Sequence, residues 1–468
     1  MRIAAIDQGT TSTRALVAEE DGRCAVAHAV RHEQHHPHPG HVEHDPEELI
    51  RNIRACVAAA GAVDAIGIDN QGESCLAWDA ETGEALSPVI VWQDARTSPA
   101  VERLKAEGGE ELTIAHAGLP LDPYFSATKL RWLLDTLAPV RDAHKRGRLR
   151  LGTTDAFFLQ RLTGRCTTDI TTASRTSLMN LAKGTWDEDL CRLFGVTIET
   201  LPDIRPTVSD FGSVDGIPLT AAAVDQQAAL YGHDCRKEGD IKITFGTGAF
   251  VLALTGERIV QAPQRGLLPT VAWQSARERV YAVDGGVYNA GSAVEWAGRI
   301  GLYDALDELG QFERPPAIGR GLVFVPALSG LACPHWDRSA AGLWIGLGLD
   351  TDKRDMLQAV LEGVALRTAE VVDAMAASLP LASSVSIDGG LTRSAYFRQF
   401  LADVLGRTLI VRAFDELTAY GIASLAAKGI GETLPPCPIE SAIAPRSDMT
   451  ALRTRFADAV SRARRWKD

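Results

Sequence analysis

Several chemical signatures are missing from the chain, and each absence removes a class of protein. The eight cysteines (Cys24, Cys56, Cys75, Cys166, Cys191, Cys235, Cys333, Cys437) are dispersed, with no CxxC pair. Neither a disulfide scaffold nor a cysteine zinc site is indicated, and reduced, mostly buried thiols in a cytoplasmic protein are expected. No apolar run reaches membrane-spanning length, and the opening MRIAAIDQGTTSTRA turns polar without the apolar core of a secretory signal, so membrane insertion is not expected. Positive charge is in deficit: 48 basic residues against 60 acidic leave a net charge of −12, which argues against a nucleic-acid partner. No GxxxxGK[ST] loop and no GxGxxG fingerprint occurs, so two common ways of holding a nucleotide are excluded.

What is present suits a soluble globular protein. The hydrophobic fraction is 46% and the charged fraction 23%. A length of 468 residues exceeds what one core usually serves, so two domains are expected. RIAAID (2–7) and TRALVA (13–18) are apolar runs joined by QGTTS, a strand, tight turn and returning strand. GDIKITFGTGAFVLALTGE (239–257) repeats that arrangement about half the chain later, which suggests a duplicated domain. Between the hairpins, DPEELIRNIRACVAAA reads as a helix with Asp45 as N-cap and Pro46 in its first turn. From Asp355 onward, Met356, Leu357, Val360, Leu361, Val364, Ala365, Val371, Val372 and Met375 recur at helical spacing and predict one buried stripe. Strands alternating with such helices indicate an α/β protein. The C-terminal RTRFADAVSRARRWKD reads as a docked, basic surface helix. His28, His32, His35, His36, His38, His41 and His44 crowd one segment, but their irregular spacing and the intervening prolines argue against a metal site there.

Three turns combine glycine with hydroxyl residues: DQGTTSTR (7–14), FGTGAF (245–250) and DGGLTRSAYF (388–397). Glycine lets the backbone approach a ligand, and consecutive N–H groups with Thr or Ser hydroxyls suit anionic oxygens. Gly389 and Gly390 would open a helix whose N-terminus adds to this. Three such turns in one chain point to a nucleotide. Asp7, at the first of them, suits either an Asx cap or hydrated Mg²⁺ beside a polyphosphate. Asp225 suits either an N-cap or a general base for a substrate hydroxyl. IGIDNQGESCLAWD (66–79) raises a separate question, because it reads as strand yet sets the lone acid Glu73 beside Gly72.

These residues carry a resemblance. The chain resembles the FGGY family of carbohydrate kinases, and within it is most similar to the glycerol kinases. The similarity runs in order from AIDQGTTSTRALV through VWQDART (91–97), DPYFSATKLRWLLD (122–135), TTDITTASRTSLMN (167–180), VDQQAALYG, TFGTGAF and VPALSGLACPHWD (325–337) to IDGGLTRSAYF. Two signature regions, YFSATKLRWLLDT and GLWIGLGLDTDKRDMLQAVLEGVA (342–365), fit nearly throughout, although Thr136 departs from the first. The resemblance implies two actin-like, ribonuclease-H-like domains, 1–233 and 234–468, closing around a cleft. It implies Thr10, Thr11, Ser12 and Arg14 on the phosphates of ATP, with Gly246 and Thr247 approaching from the other domain and Mg²⁺ at Asp7. Gly291, Glu295, Gly389, Gly390 and Ser394 would line the adenosine, with Glu295 and Ser394 departing from the glycerol-kinase glutamine and asparagine. For the polyol it implies Gly72, Glu73, Tyr124, Asp225 and Gln226, with Trp92 and Phe250 as apolar walls and Asp225 as catalytic base. A homodimer or homotetramer is expected.

One departure bears on substrate. NQGES stands where the glycerol kinases carry asparagine, glutamine, arginine and glutamate, so Gly72 replaces an arginine beside the retained Glu73. The loss removes five donors from the acceptor site and suggests a polyol or sugar larger than glycerol, such as a tetritol. The alternatives are a true glycerol kinase, with a nearby arginine or a water restoring the contact, and a non-catalytic, nucleotide-switched binding protein. A second departure is the short segment SDFGSVDGIPLT ahead of Asp225, where the resemblance implies no control by fructose bisphosphate.

Overall fold

The computed structural model describes residues 1–310 and 312–467. Strands β1 (Arg2–Gln8), β2 (Ser12–Glu19), β3 (Cys24–Arg31), β4 (Ala65–Asn70), β5 (Ser213–Val214) and β6 (Ile217–Val224) form one sheet in the order β5-β6-β4-β1-β2-β3. Strands β7 (Ile241–Phe245), β8 (Ala249–Gly256), β9 (Leu268–Gln274), β10 (Arg279–Val287), β11 (Ser384–Gly389), β12 (Thr408–Arg412) and β13 (Ile439–Ile443) form a second, in the order β9-β10-β8-β7-β11-β12-β13. The run β3-β2-β1-β4-β6 matches β10-β8-β7-β11-β12, each an antiparallel meander extended by two parallel strands. The duplication seen in the two hairpins therefore extends to the sheets. It also places the first hairpin turn, after Gln8, and the second, after Phe245, at equivalent ends of their sheets.

Helices α1 (Pro46–Ala60), α2 (Asp225–Gly232), α3 (Lys353–Ala376) and α4 (Leu417–Gly429) run between the strands, and α5 (Thr450–Ala463) follows the last of them. Asp45 caps α1 by accepting from the Glu47 amide, with Pro46 in the first turn as expected. Leu49, Ile50, Ile53 and Val57 of α1 pack on one face of the first sheet. The opposite face is closed from the second half of the chain, where Leu417, Ile422 and Leu425 of α4 join Ile3, Ala5, Ala65 and Ala223 in one core. This approach is close because side chains are absent at the crossing. A Cβ on Gly232 would collide with the Leu417 carbonyl, and one on Gly421 with the Ala228 carbonyl. The helix that begins with Asp225 is thus clamped against the second half of the molecule.

Three expectations change. Helix α3 is buried around most of its circumference rather than along one stripe, because the second sheet and α5 pack on it as well. Buried charges on it find partners: Glu362 accepts from the Ala317 and Ile318 amides at 2.8 and 2.9 Å, and Arg367 Nη2 donates to the Cys333 carbonyl at 2.8 Å, although Arg367 Nε has none. Gly389 and Gly390 lead into a 3₁₀ turn over Gly390–Arg393, and the α-helix begins only at Ala395. The stretch around Glu73 is not continuous strand. β4 leaves the first sheet at Asn70, turns through residues 71–74, and resumes as Cys75–Asp79 in a separate four-stranded sheet, so Glu73 stands on the turn. The C-terminal helix α5 does dock, through Phe456, Ala459, Val460 and Ala463. Among the described residues, no helix is long and apolar enough to cross a membrane.

Candidate active site

A cavity of about 170 Å³ lies between the two sheets, and it gathers residues distant in sequence. Gly72, Glu73, Trp92, Tyr124, Asp225, Gln226 and Phe250 all line it, together with Thr10, Gly246 and Thr247 from the two hairpin turns. Glu73 is held from behind, since Ser126 Oγ donates to its carbonyl at 3.0 Å. Trp92 meets Tyr124 edge-on at 5.7 Å between ring centroids and Phe250 at 6.2 Å, an aromatic wall suited to C–H surfaces. Trp92 Nε1 donates to Thr10 Oγ1 at 3.1 Å, which ties that wall to the first turn.

On the phosphate side, Gly9 N donates to Ser12 O at 3.0 Å and closes the first turn, leaving Thr11 exposed. The histidine-rich segment braces it: His32 N lies 3.3 Å from the Thr11 carbonyl, and His32 Nε2 lies 3.0 Å from that of Thr10. Arg14 pairs with Glu416, just ahead of α4, and lies 3.8 Å from Asp7. Across the cleft, Gly246 and Thr247 are exposed on the second turn, and Gly291 N donates to the Gly246 carbonyl at 3.0 Å. Gly389 adopts φ +96°, and a Cβ there would strike the Phe245 carbonyl, so only glycine fits beside the turn. Gly390 has open space where a side chain would be. Glu295 is exposed on the helix Gly291–Arg299. Ser394, expected along the adenosine, has its hydroxyl buried, donating to the Leu309 carbonyl at 2.6 Å and accepting from Phe397 N at 3.0 Å. It caps a helix and holds a loop, which occupies the group expected to serve adenosine.

Three carboxylates converge at the ends of β1, β4 and β6. Asp7 and Asp69 are directly opposed in the parallel register of β1 and β4, and Asp225 follows β6 immediately. Burial pushes Asp7 up, with Arg14 opposing, and burial together with Asp7 holds Asp69 well above the usual carboxylate range. Both oxygens of Asp69 are buried with no hydrogen-bond partner. Paired carboxylates with orphaned oxygens are a hard-cation donor set, so Asp7 and Asp69 fit Mg²⁺. Asp225 is raised to about 7 by burial and by the charges of Glu73 and Asp7, with Lys242 pulling the other way. Its Oδ1 accepts from Gln226 N at 2.6 Å, so the carboxylate belongs to the first turn of α2 rather than capping it.

Sequence reasoning missed Asp69, Lys242, Arg175 and Asp284. Lys242 is fully buried and donates to Gln226 Oε1 at 2.6 Å and Thr244 Oγ1 at 2.9 Å, which occupies the carboxamide oxygen expected to meet a polyol. Arg175 donates from Nε to Glu73 Oε1 at 2.7 Å and from Nη2 to Asp284 Oδ2 at 3.0 Å. Burial opposes its charge, yet Glu73 and Asp284 together hold it firmly protonated. Asp284 carried a signal akin to that of Glu73, an acid beside glycine within an apolar stretch of sequence. The glycine at 72 leaves no void at its own Cβ position: a methyl there would lie 2.9 Å from Val224 Cγ1 and 3.7 Å from Arg175 Cγ. A guanidinium does stand at Glu73, supplied from position 175.

Residues 2–232 match the FGGY family of carbohydrate kinases, N-terminal domain, and residues 241–430 match its C-terminal domain. The chain is 38% identical to the glycerol kinase of Haloferax volcanii, covering 99% of this chain and 98% of that one. It is 42% identical to the glycerol kinase of Thermus brockianus over 92% and 90% of the two chains. The crystal structure of Plasmodium falciparum glycerol kinase with ADP superposes with a TM-score of 0.90 at 29% identity, covering 99% of this chain and 98% of that one.

Proposed function

The chain belongs to the FGGY family of carbohydrate kinases, and on this premise we propose that Asp225 is the base of an ATP-dependent transfer to a terminal hydroxyl of a small polyol. One observation carries the proposal. Asp225 shares a single cavity with the hydroxyl acceptor Glu73 and with both glycine-threonine turns, so an alcohol and a triphosphate would meet at its carboxylate.

The ionised carboxylate of Asp225 takes the proton of the acceptor hydroxyl as that oxygen attacks the γ-phosphorus, and the bond to the bridging β–γ oxygen breaks to release ADP. Its raised pKa suits this task, because a base near neutrality is strong enough to accept the proton yet still substantially ionised. Thr10, Thr11, Ser12 and Arg14 hold the phosphates from one side, and Gly246 and Thr247 from the other. Gly291, Gly389 and Gly390 give the adenosine a side-chain-free surface. Asp7 and Asp69 would hold Mg²⁺, which when bound offsets phosphate charge. Glu73 orients the acceptor by receiving its hydroxyl protons, and Trp92, Tyr124 and Phe250 cover its C–H face and exclude water. A location in the cytoplasm belongs to this reading, since ATP is the donor and all eight cysteines are free.

The names of the relatives point to glycerol as acceptor. A longer acceptor such as a tetritol is favoured by a different observation from the one that raised it. The support is a second chamber of about 290 Å³ that shares Trp92, Tyr124, Thr247, Phe250 and Asp284 with the first, not a void at Gly72. The test is polyol-dependent ADP release with recovery of a phosphate monoester. ADP release that ignores the polyol would contradict the proposal.

A further inference from the structure

The geometry points to Asp284, positioned by Arg175, as an acid that receives a hydroxyl of the acceptor at the end remote from phosphoryl transfer, so that the acceptor carries a hydroxylated carbon beyond the three of glycerol. The inference rests on the polyol-kinase reading above and goes further by assigning two residues and a substrate length.

Asp284 lies inside β10, an otherwise apolar strand of the second sheet, and is 8% exposed. One of its oxygens is committed, since Oδ2 accepts from Arg175 Nη2 at 3.0 Å. The other, Oδ1, is buried with no partner, and so is Arg175 Nη1. Native interiors seldom leave a charged acceptor and a charged donor unpaired at one place, and both residues line the cavity that holds Asp225 and Glu73. A hydroxyl is the group that answers both vacant atoms, because it donates to a carboxylate oxygen and accepts from a guanidinium N–H.

Position supplies the length. Asp284 belongs to both the 170 Å³ and the 290 Å³ chambers, and it is the one carboxylate among the described residues that lines both. Beyond it, the second chamber offers the buried, unpartnered hydroxyl of Tyr288, with Asn289 and Ser329 nearby. Asp225 and Glu73 come from the first half of the chain and Asp284 from the second. An acceptor bound at Asp225 by its reacting end and at Asp284 by its far end spans the junction of the two chambers. Arg175 bridges Glu73 to Asp284 across the cleft, and its side-on edge fixes the two acids relative to one another. It touches neither the reacting hydroxyl nor the phosphate: it positions the two acids and offers Nη1 to the far hydroxyl.

The experiment compares kcat/KM for a four-carbon tetritol with that for glycerol in wild type, Asp284→Asn and Asp284→Glu. The amide keeps the shape but loses the charged acceptor, and the longer acid keeps the pair with Arg175 while filling the junction. Wild type is expected to turn over the tetritol. Both variants are expected to lower the tetritol-to-glycerol ratio at least about tenfold, mainly through KM, the scale for losing a hydrogen bond to a charged group. Equal losses for both polyols, or an unchanged ratio, would reduce Asp284 to a structural tie and overturn the inference. Should Asp284→Asn not fold, Asp284→Glu decides alone. Wild type that phosphorylates glycerol but no tetritol overturns this inference only, whereas wild type that phosphorylates no polyol overturns the kinase reading as well.

Discussion

Replacing Asp225 by asparagine separates a catalytic role from a structural one, because the two predict opposite effects on stability. As the base, the carboxylate is expected to contribute about 10²- to 10⁴-fold to kcat, so Asp225→Asn should lose activity by that factor. The same carboxylate is raised from the ordinary 3.8 to about 7 by burial, Glu73 and Asp7. Between those values the folded protein binds a proton that the unfolded chain has released, so stability from this group is full below about 3.8 and is lost as pH rises from there through about 7. At roughly 1.4 kcal/mol per unit the full effect would approach 4 kcal/mol, and the partial opening of Asp225 to the cavity reduces it to about 2 kcal/mol. Asparagine removes the charge, so the inactive variant should melt a few degrees higher than wild type at pH 8.5 and by less than half that margin at pH 5. Differential scanning fluorimetry at the two pH values, with coupled ADP release on the same samples, makes the comparison. An Asp225→Asn enzyme that keeps activity within about threefold, or one destabilised at pH 8.5, would refute the assignment of Asp225 as a desolvated base.

Gly421→Ala should cost about 3 kcal/mol or more, because its Cβ meets the Ala228 carbonyl at the α2–α4 crossing, and the loss is visible as a lower urea midpoint with activity falling in parallel. Gly72→Ala sets a methyl 2.9 Å from Val224 Cγ1 and should cost about 1–3 kcal/mol, most of it recovered in Gly72→Ala/Val224→Ala on thermal melting. Glu73→Gln removes the charge that Arg175 Nε pairs with and replaces one of the two acceptor oxygens by an NH₂ donor, so KM for the polyol should rise about 10- to 100-fold while KM for ATP moves little in steady-state kinetics.

What the sequence discloses depends on whether a feature is local. The two hairpins and the cap at Asp45 were legible because strand, turn and cap chemistry acts over a few residues. Glu73, Trp92, Tyr124, Asp225 and Phe250 were legible as a group only through the order of motifs, since no periodicity brings residues so far apart into one cavity. Asp69 was hidden because its meaning lies in register: it stands opposite Asp7 only once β1 and β4 pair. Arg175 stood in view within TTASRTSLMN, but its reach to Glu73 and Asp284 depends on the junction of the halves. Ser394, expected along the adenosine, also caps a helix and holds a loop, since a hydroxyl at a helix start serves capping as readily as ligand binding. The missing side chain at 72 pointed to an empty volume, whereas in three dimensions Val224 and Arg175 occupy the surroundings.

The central claim is transfer of the γ-phosphoryl group of ATP to a terminal polyol hydroxyl. Phosphorus NMR of the enzyme with ATP, Mg²⁺ and either glycerol or a tetritol tests it most directly. The account predicts a phosphate monoester on a terminal carbon, growing in step with ADP and absent without polyol or with Asp225→Asn. Inorganic phosphate as the sole product, formed at the same rate with and without polyol, would contradict it.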